Sequence, residues 1–206
     1  MSPVVYLVED DAPVRDSLSL LLSLKGFSCQ VFASAETFME TCRPDHRGCV
    51  LSDLRMPGIS GLDLQHELKA RRIRLPVVLL TAHGDVATTR MAMKAGAFDF
   101  LEKPVDDEVL VDVLRNAIAF EAQQYANEAG QAVSRGKVER LTARETDVMK
   151  LVAEGLQNRE IAVRLGISPR TVEVYKSRMM EKLDCRSLAD VLRLTSRLEN
   201  VKVRRD

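Results

Sequence analysis

Five short apolar, β-branched runs alternate with amphipathic stretches over the first 120 residues, and the alternation then stops. The runs are Val4–Val8, Ser28–Phe32, Cys49–Ser52, Val77–Leu80 and Phe98–Leu101. Four are apolar enough to be buried on both faces, as parallel strands must be when helices cover both sides of a sheet. Helices are expected near 13–25, 34–42, 61–70, 85–95 and 106–120. In the first of these, Leu18, Leu21, Leu22 and Lys25 recur at helical spacing and Gly26 supplies the stop. Repeated βα units of this kind predict an open, doubly wound parallel sheet of five strands.

After about Glu121 the pattern changes. Residues 122–137 are small, polar and poor in large apolar side chains, so they read as a linker whose first part could equally continue the preceding helix. Beyond it no strand pattern occurs. Thr142 with Glu145 three residues on is a capping box that opens a helix ending at Gly155. Asn158 is expected to cap a second helix ending at Gly166, Ser168 and Pro169 to open a third through Leu183, and Ser187 to cap a fourth to about Leu198. The tail 201–206 is expected to fray. The division is therefore 1–121, a linker at 122–137, and an all-α four-helix domain at 138–206.

Composition removes several classes. Hydrophobic residues make up 46% and charged residues 29%, the balance of a globular chain and neither a disordered nor a fibrous one. No run of 18 uncharged apolar residues exists, so no membrane span or membrane partner is expected. The Val4–Val8 run meets Glu9, Asp10 and Asp11 at once without a basic leader, which argues against a signal peptide and for a cytoplasmic location. Cys29, Cys42, Cys49 and Cys185 form no CxxC pair and stand near no histidine at zinc-ligand spacing, so they read as small core residues. The formal charge of zero hides a split: −4 over residues 1–137 and +4 over 138–206. The second part is the one suited to a polyanion.

In an open α/β sheet, ligands collect beyond the carboxyl ends of the strands. Strand one delivers Glu9, Asp10 and Asp11 there, strand three Asp53, strand four Thr81, and strand five Lys103 followed by Pro104. So many carboxylates repel one another unless a cation relieves them, and an oxygen-only set without His or Cys selects Mg²⁺, with Mn²⁺ as the alternative. A lysine and a hydroxyl beside such a site are the usual partners of phosphoryl oxygens. Taken singly, acids at strand ends often cap loops and helices instead, as Asp11 and Asp63 are placed to do.

Val8-Glu9-Asp10, Asp53-Leu54-Arg55-Met56-Pro57-Gly58-Ile59-Ser60-Gly61, Thr81-Ala82 and Lys103-Pro104 together resemble the receiver domain of two-component response regulators, over residues 1 to about 121. That resemblance implies a flavodoxin-like fold and an acyl phosphate on Asp53, donated by a sensor histidine kinase. Glu9 and Asp10 then match the metal-binding acidic pair, and the Arg55 carbonyl is a further ligand. Arg15, five residues after Asp10, fixes this register and leaves Asp11 outside the pair. Thr81 and Lys103 match the residues that turn toward the phosphoryl oxygens, and Phe100 matches an aromatic switch position. Arg55 and His83 match positions that tune phosphate lifetime. Lys103-Pro104 also suggests a cis peptide. Aspartyl-phosphate phosphatases need an acid two residues after the nucleophile; Arg55 stands there, which disfavours an enzyme. The receiver's own Mg-dependent phosphoryl transfer and dephosphorylation would be its only catalysis.

In the second part, residues 158–186 hold seven Lys and Arg against four acids, and Leu165-Gly166-Ile167-Ser168 is a short turn of the helix-turn-helix kind. Helical spacing puts Val172, Met179, Met180 and Leu183 on the inner face of the second helix. The exposed face lies among Arg170, Thr171, Glu173, Val174, Tyr175, Lys176, Ser177 and Arg178. Charge alone leaves a solvated basic face equally open. Leu141-Thr142-Ala143-Arg144-Glu145, Gly155 to Ala162 and Ile167 to Lys176 resemble the LuxR-type DNA-binding domain, and the whole chain is similar to the FixJ subgroup of the NarL/FixJ response regulators. The resemblance assigns Glu173, Val174 and Ser177 to base edges of double-stranded DNA. It assigns Asn158, Arg170, Thr171, Tyr175, Lys176, Arg178 and Lys182 to phosphates. Leu188, Val191, Leu192 and Thr195 match a dimerisation helix, with plain core packing as the alternative.

The reading is a phosphorylation-gated transcriptional regulator, with activation favoured over repression. It would form a homodimer when phosphorylated and have RNA polymerase as a further partner. The alternative is a receiver module that signals through a protein partner with little direct DNA binding.

Overall fold

The computed structural model describes residues 4–82 and 86–199, and the chain divides into two compact units between Tyr125 and Ala126. The first contains β1 (Val4–Val8), α1 (Ala12–Leu24), β2 (Ser28–Phe32), α2 (Ala35–Thr41), β3 (Gly48–Asp53), α3 (Gly61–Ala70), β4 (Val77–Thr81), α4 (Val86–Ala95) and β5 (Asp99–Glu102). The strands are all parallel in the order β2-β1-β3-β4-β5. Alternation along the strands builds two cores. Tyr6, Val8, Val50 and Leu79 pack with Phe38, Leu64 and Leu68 on one face, and Val5, Leu7, Leu51 and Leu80 pack with Leu22, Leu110 and Leu114 on the other.

Three strands are buried throughout or nearly so, rather than the expected four: β1, β3 and β4. The strand order makes β2 and β5 the edges, where only one side of the strand has a neighbour, and both are partly exposed. Asp11 caps α1 by accepting from the Val14 N–H at 3.1 Å, and Ser60 and Asp63 form a reciprocal capping box on α3. The Lys103–Pro104 peptide is cis. All four cysteines are free. Burial pushes the Cys42 thiol up to about 11 and the Cys49 thiol to about 12, as inert core groups.

Helix α5 (Asp107–Glu139) is helical throughout 122–137. Its composition there is rich in Ala and Gln, which favour helix without needing an apolar stripe. In the first unit Arg47 holds it: Nε and Nη2 donate to the Glu121 carboxylate at 2.5 and 3.1 Å, and the guanidinium lies 3.5 Å from the Tyr125 ring centroid.

The second unit adds α6 (Ala143–Ala153), α7 (Asn158–Leu165), α8 (Pro169–Leu183) and α9 (Leu188–Glu199) around Val148, Val152, Ile161, Val172, Met179, Leu183 and Val191. Thr142 and Glu145 form the expected box, at 2.8 and 3.4 Å. Asn158 is not the cap of α7. Gln157 occupies that position, with its N–H donating to Glu160 at 2.7 Å, and Asn158 is the first helical residue. Gly166 ends α7 at φ +66°, a conformation that suits glycine. The tail 201–206 lies outside the described residues. Among the described residues no helix is long and apolar enough to cross a membrane.

Candidate functional site

The sheet reverses its winding between β1 and β3, and the crevice beyond their carboxyl ends is where such sheets hold ligands. Glu9, Asp10 and Asp53 each place a carboxylate oxygen there, all within 4.8 Å of one another. From the end of β5, Lys103 Nζ donates to Glu9 Oε2 at 2.7 Å and to Asp53 Oδ2 at 2.6 Å. The Arg55 N–H donates to Asp53 Oδ1 at 2.9 Å. Burial pushes the Glu9 carboxyl above its ordinary range, against the pull of Lys103. Burial would lower Lys103, but its hydrogen bonds to Asp53 and Glu9 outweigh that and hold the ammonium above its usual value.

Arg15 braces the loop behind the acids, its Nη1 donating to the carbonyls of Glu9 and Asp10 at 2.8 and 3.3 Å. Asp11 is spent on its helix cap and lies outside the acidic group. Thr81 is buried at the end of β4, and its carbonyl accepts from the Lys103 N–H at 2.7 Å. Phe100 lies on the edge strand, partly buried against the core on the α2, α3 and α4 side. Arg55 is exposed, and His83 lies outside the described residues. Sequence reasoning did not single out the close approach at Gly61. A Cβ there would meet the Asp53 carbonyl at 2.5 Å, so only glycine lets α3 pack against the backbone that carries this carboxylate.

On α8 the expected inner residues Val172, Met179 and Leu183 are fully buried, while Met180 is half-buried. Arg170, Glu173, Val174, Ser177 and Arg178 are exposed; Thr171, Tyr175, Lys176 and Lys182 are half-buried. Three of the expected phosphate contacts, Asn158, Lys176 and Lys182, are engaged in hydrogen bonds between helices of the unit. Lys176 Nζ donates to Asn158 Oδ1 at 2.9 Å and Lys182 Nζ to Glu145 Oε2 at 2.6 Å, so α8 is tied to α7 and to α6. Neither pairing has a local spacing signal, because the partners stand 18 and 37 residues apart. On α9, Val191 and Thr195 face the core whereas Leu188 and Leu192 are exposed.

An acidic, lysine-bridged crevice on a five-stranded parallel sheet, followed by a helix-turn-helix unit, defines a phosphorylation-regulated transcriptional regulator. The family described as response regulator receiver domain matches residues 5–115, and bacterial regulatory proteins, luxR family, matches residues 139–195. The transcriptional regulatory protein FixJ of Azorhizobium caulinodans is 42% identical over 190 residues, covering 92% of this chain and 90% of its own. Nodulation protein W of Bradyrhizobium diazoefficiens is 41% identical, covering 95% and 86%. Among solved structures, response regulator StyR superposes with a TM-score of 0.83 at 40% identity, covering 95% of this chain and 99% of its own. Full-length FixJ from B. japonicum gives 0.60 at 38%, covering 97% and 98%. The chain belongs to the two-component response regulators, in the FixJ-like group with a LuxR-type DNA-binding domain. Its two domain families imply a histidine kinase as phosphodonor and DNA as the bound partner. A receiver acting only through a protein partner is not favoured.

Proposed function

We propose that Asp53 is the phosphoacceptor and that its phosphorylation gates DNA binding by α8. The observation that carries this is the Lys103 ammonium, shared between Asp53 and buried Glu9 beside Asp10. Of the two carboxylates that Lys103 bridges, Asp53 is the more exposed and so the one open to a phosphodonor. An Asp53 oxygen bonds the phosphorus, the donor histidine's P–N bond breaks, and the histidine nitrogen keeps the electron pair. Lys103 then shifts its hydrogen bond from the Asp53 carboxylate to a phosphoryl oxygen, and the Thr81 hydroxyl donates to another. Phe100 fills the space that Thr81 leaves, which transmits a charge change to the sheet edge as a packing change.

Glu9, Asp10, Asp53 and the Arg55 carbonyl form an all-oxygen donor set that fits Mg²⁺, with Mn²⁺ as the alternative. When bound, such an ion neutralises phosphoryl oxygens and the repulsion among the carboxylates. Water attack on the phosphoryl group would end the signal, the only catalysis assigned to the chain.

Glu173, Val174 and Ser177 face base edges, and Arg170, Thr171, Tyr175 and Arg178 face phosphates. Residues 1–121 are the receiver, 122–137 the linker and 138–206 the DNA-binding domain. Phosphorylation favours a homodimer, to which exposed Leu188 and Leu192 of α9 are suited. The setting is the cytoplasm, and RNA polymerase is the partner an activator would engage.

Intact mass and light scattering with Mg²⁺ and a small-molecule phosphodonor test this. A single phosphoryl addition and a monomer-to-dimer shift are expected in the wild type and neither in Asp53→Asn. Addition that persists in Asp53→Asn overturns the acceptor. Addition without a mass shift overturns the dimer.

A further inference from the structure

The cations near α8 are not equivalent. Lys176 and Lys182 are bound to Asn158 and Glu145, and Lys137 Nζ is bound to Asp184 at 3.2 Å. Among the described residues, no ion pair or side-chain hydrogen bond engages the guanidinium groups of Arg178 or Arg140. Both residues are exposed. They line one cleft of about 590 Å³ together with Lys137, Glu181, Lys182 and Asp184. The six side chains carry four positive and two negative charges, and Asp184 is already neutralised by Lys137.

Position along α8 says what this cleft faces. Arg170 or Thr171, Val174, Arg178 and Glu181 recur at three- and four-residue spacing and form one stripe. The stripe therefore starts among the phosphate- and base-facing residues assigned above and runs C-terminally into the cleft. Arg140 stands just past the last turn of α5, outside the helix-turn-helix itself. A guanidinium is the side chain suited to fork onto phosphate oxygens, and two free ones, from the end of α5 and from α8, line this one cleft.

We propose that Arg140 and Arg178 form a site for a backbone phosphate of double-stranded DNA, which extends the DNA interface from α8 to the end of α5. The assignment rests on α8 being the DNA-reading helix. It carries a corollary: Lys176 and Lys182 position α8 and do not neutralise phosphates.

The slope of log affinity against log salt tests it, measured by fluorescence anisotropy with the full chain and a mixed-sequence duplex. Each phosphate contact contributes about 0.9 to that slope. Arg140→Gln and Arg178→Gln should each lower it by about one contact and weaken binding alike on any sequence. Lys182→Met should weaken binding without changing the slope. Arg170→Gln is the control for the α8 interface. If it lowers the slope and Arg140→Gln does not, the new site is wrong and the α8 assignment stands. If the wild type shows no salt-dependent binding, both fall. Inorganic phosphate at constant ionic strength separates a small-anion site. Protection of the wild type from thermal unfolding, lost in Arg140→Gln, with no slope change on DNA, would reassign the cleft to a free phosphate and overturn the proposal. Among the described residues no hydrogen bond or ion pair of the Arg140 side chain holds the fold, so circular dichroism of Arg140→Gln should match the wild type.

Discussion

A methyl group at Gly61 would meet the Asp53 carbonyl at 2.5 Å and a Leu79 methyl at 2.8 Å, so the helix would have to move or the end of β3 would. Gly61→Ala should therefore cost about 1–3 kcal/mol of stability, the range for overpacking, and slow phosphoryl uptake at Asp53. Urea unfolding and the rate of mass gain with a phosphodonor check the two effects. At Glu145 the sign of a pH effect follows from its partners. Lys182 and the Thr142 N–H hold its carboxyl below the ordinary range. The stabilisation is full above the unfolded-state value of about 4.3 and is lost as pH falls through the lower folded-state value. Glu145→Gln should lower stability at neutral pH by about 1–3 kcal/mol and flatten the acid limb. Thermal midpoints of the two proteins from pH 3 to 7 (about the carboxylate range) should converge at the acid end, and parallel curves would refute the assignment. Such pairs are hidden from sequence because the side chains meet through tertiary packing. The acids at strand ends were legible because the strand register delivers them to one edge.

At the scale of elements, the helix starts and stops read well where a side chain makes the cap. Thr142, Ser168 and Ser187 accept from the N–H three residues on. Asn158 misled by one position because Glu160 reaches back to Gln157 and frees the asparagine for Lys176. Edge burial failed for a different reason: an apolar run does not say which strands end up outermost. Residues 122–137 lack an apolar stripe, so periodicity could not decide between helix and linker, and α5 continues through them on intrinsic propensity. This makes α5 the element most open to propensity changes. Gly130 and Gly136 sit within it, with nothing within 4 Å of an added Cβ. Alanine at either should stabilise the helix by about 0.5–1 kcal/mol, read as higher helicity on heating in far-ultraviolet circular dichroism. No change in the melting of that signal would mean the segment is held by contacts rather than by its own preference.

For the whole molecule, the charge split puts −4 over residues 1–137, where an anion is to be added, and +4 over 138–206, where one is to be bound. Coupling between two sites commonly amounts to about 1–3 kcal/mol, or 5–150-fold in affinity. Phosphorylation should tighten DNA binding by a factor in that range, and Asp53→Asn should hold the protein at the weaker value whatever the phosphodonor level. Val174→Ala tests whether gating and reading are separate functions. Its side chain is exposed on α8 and takes part in neither the Lys176–Asn158 nor the Lys182–Glu145 hydrogen bond. Mutations without shared partners add in free energy, so Val174→Ala should weaken binding of both forms by the same factor on a sequence with thymine at the contacted position. The ratio between the forms should then stay unchanged. Titrating a selected high-affinity duplex against protein with and without phosphodonor, for the wild type and both variants, gives all six affinities, the two for Asp53→Asn being expected to coincide. A ratio that collapses in Val174→Ala would show that phosphorylation acts by reshaping the base-reading surface itself. A preserved ratio would show that it acts on the availability of a surface already formed.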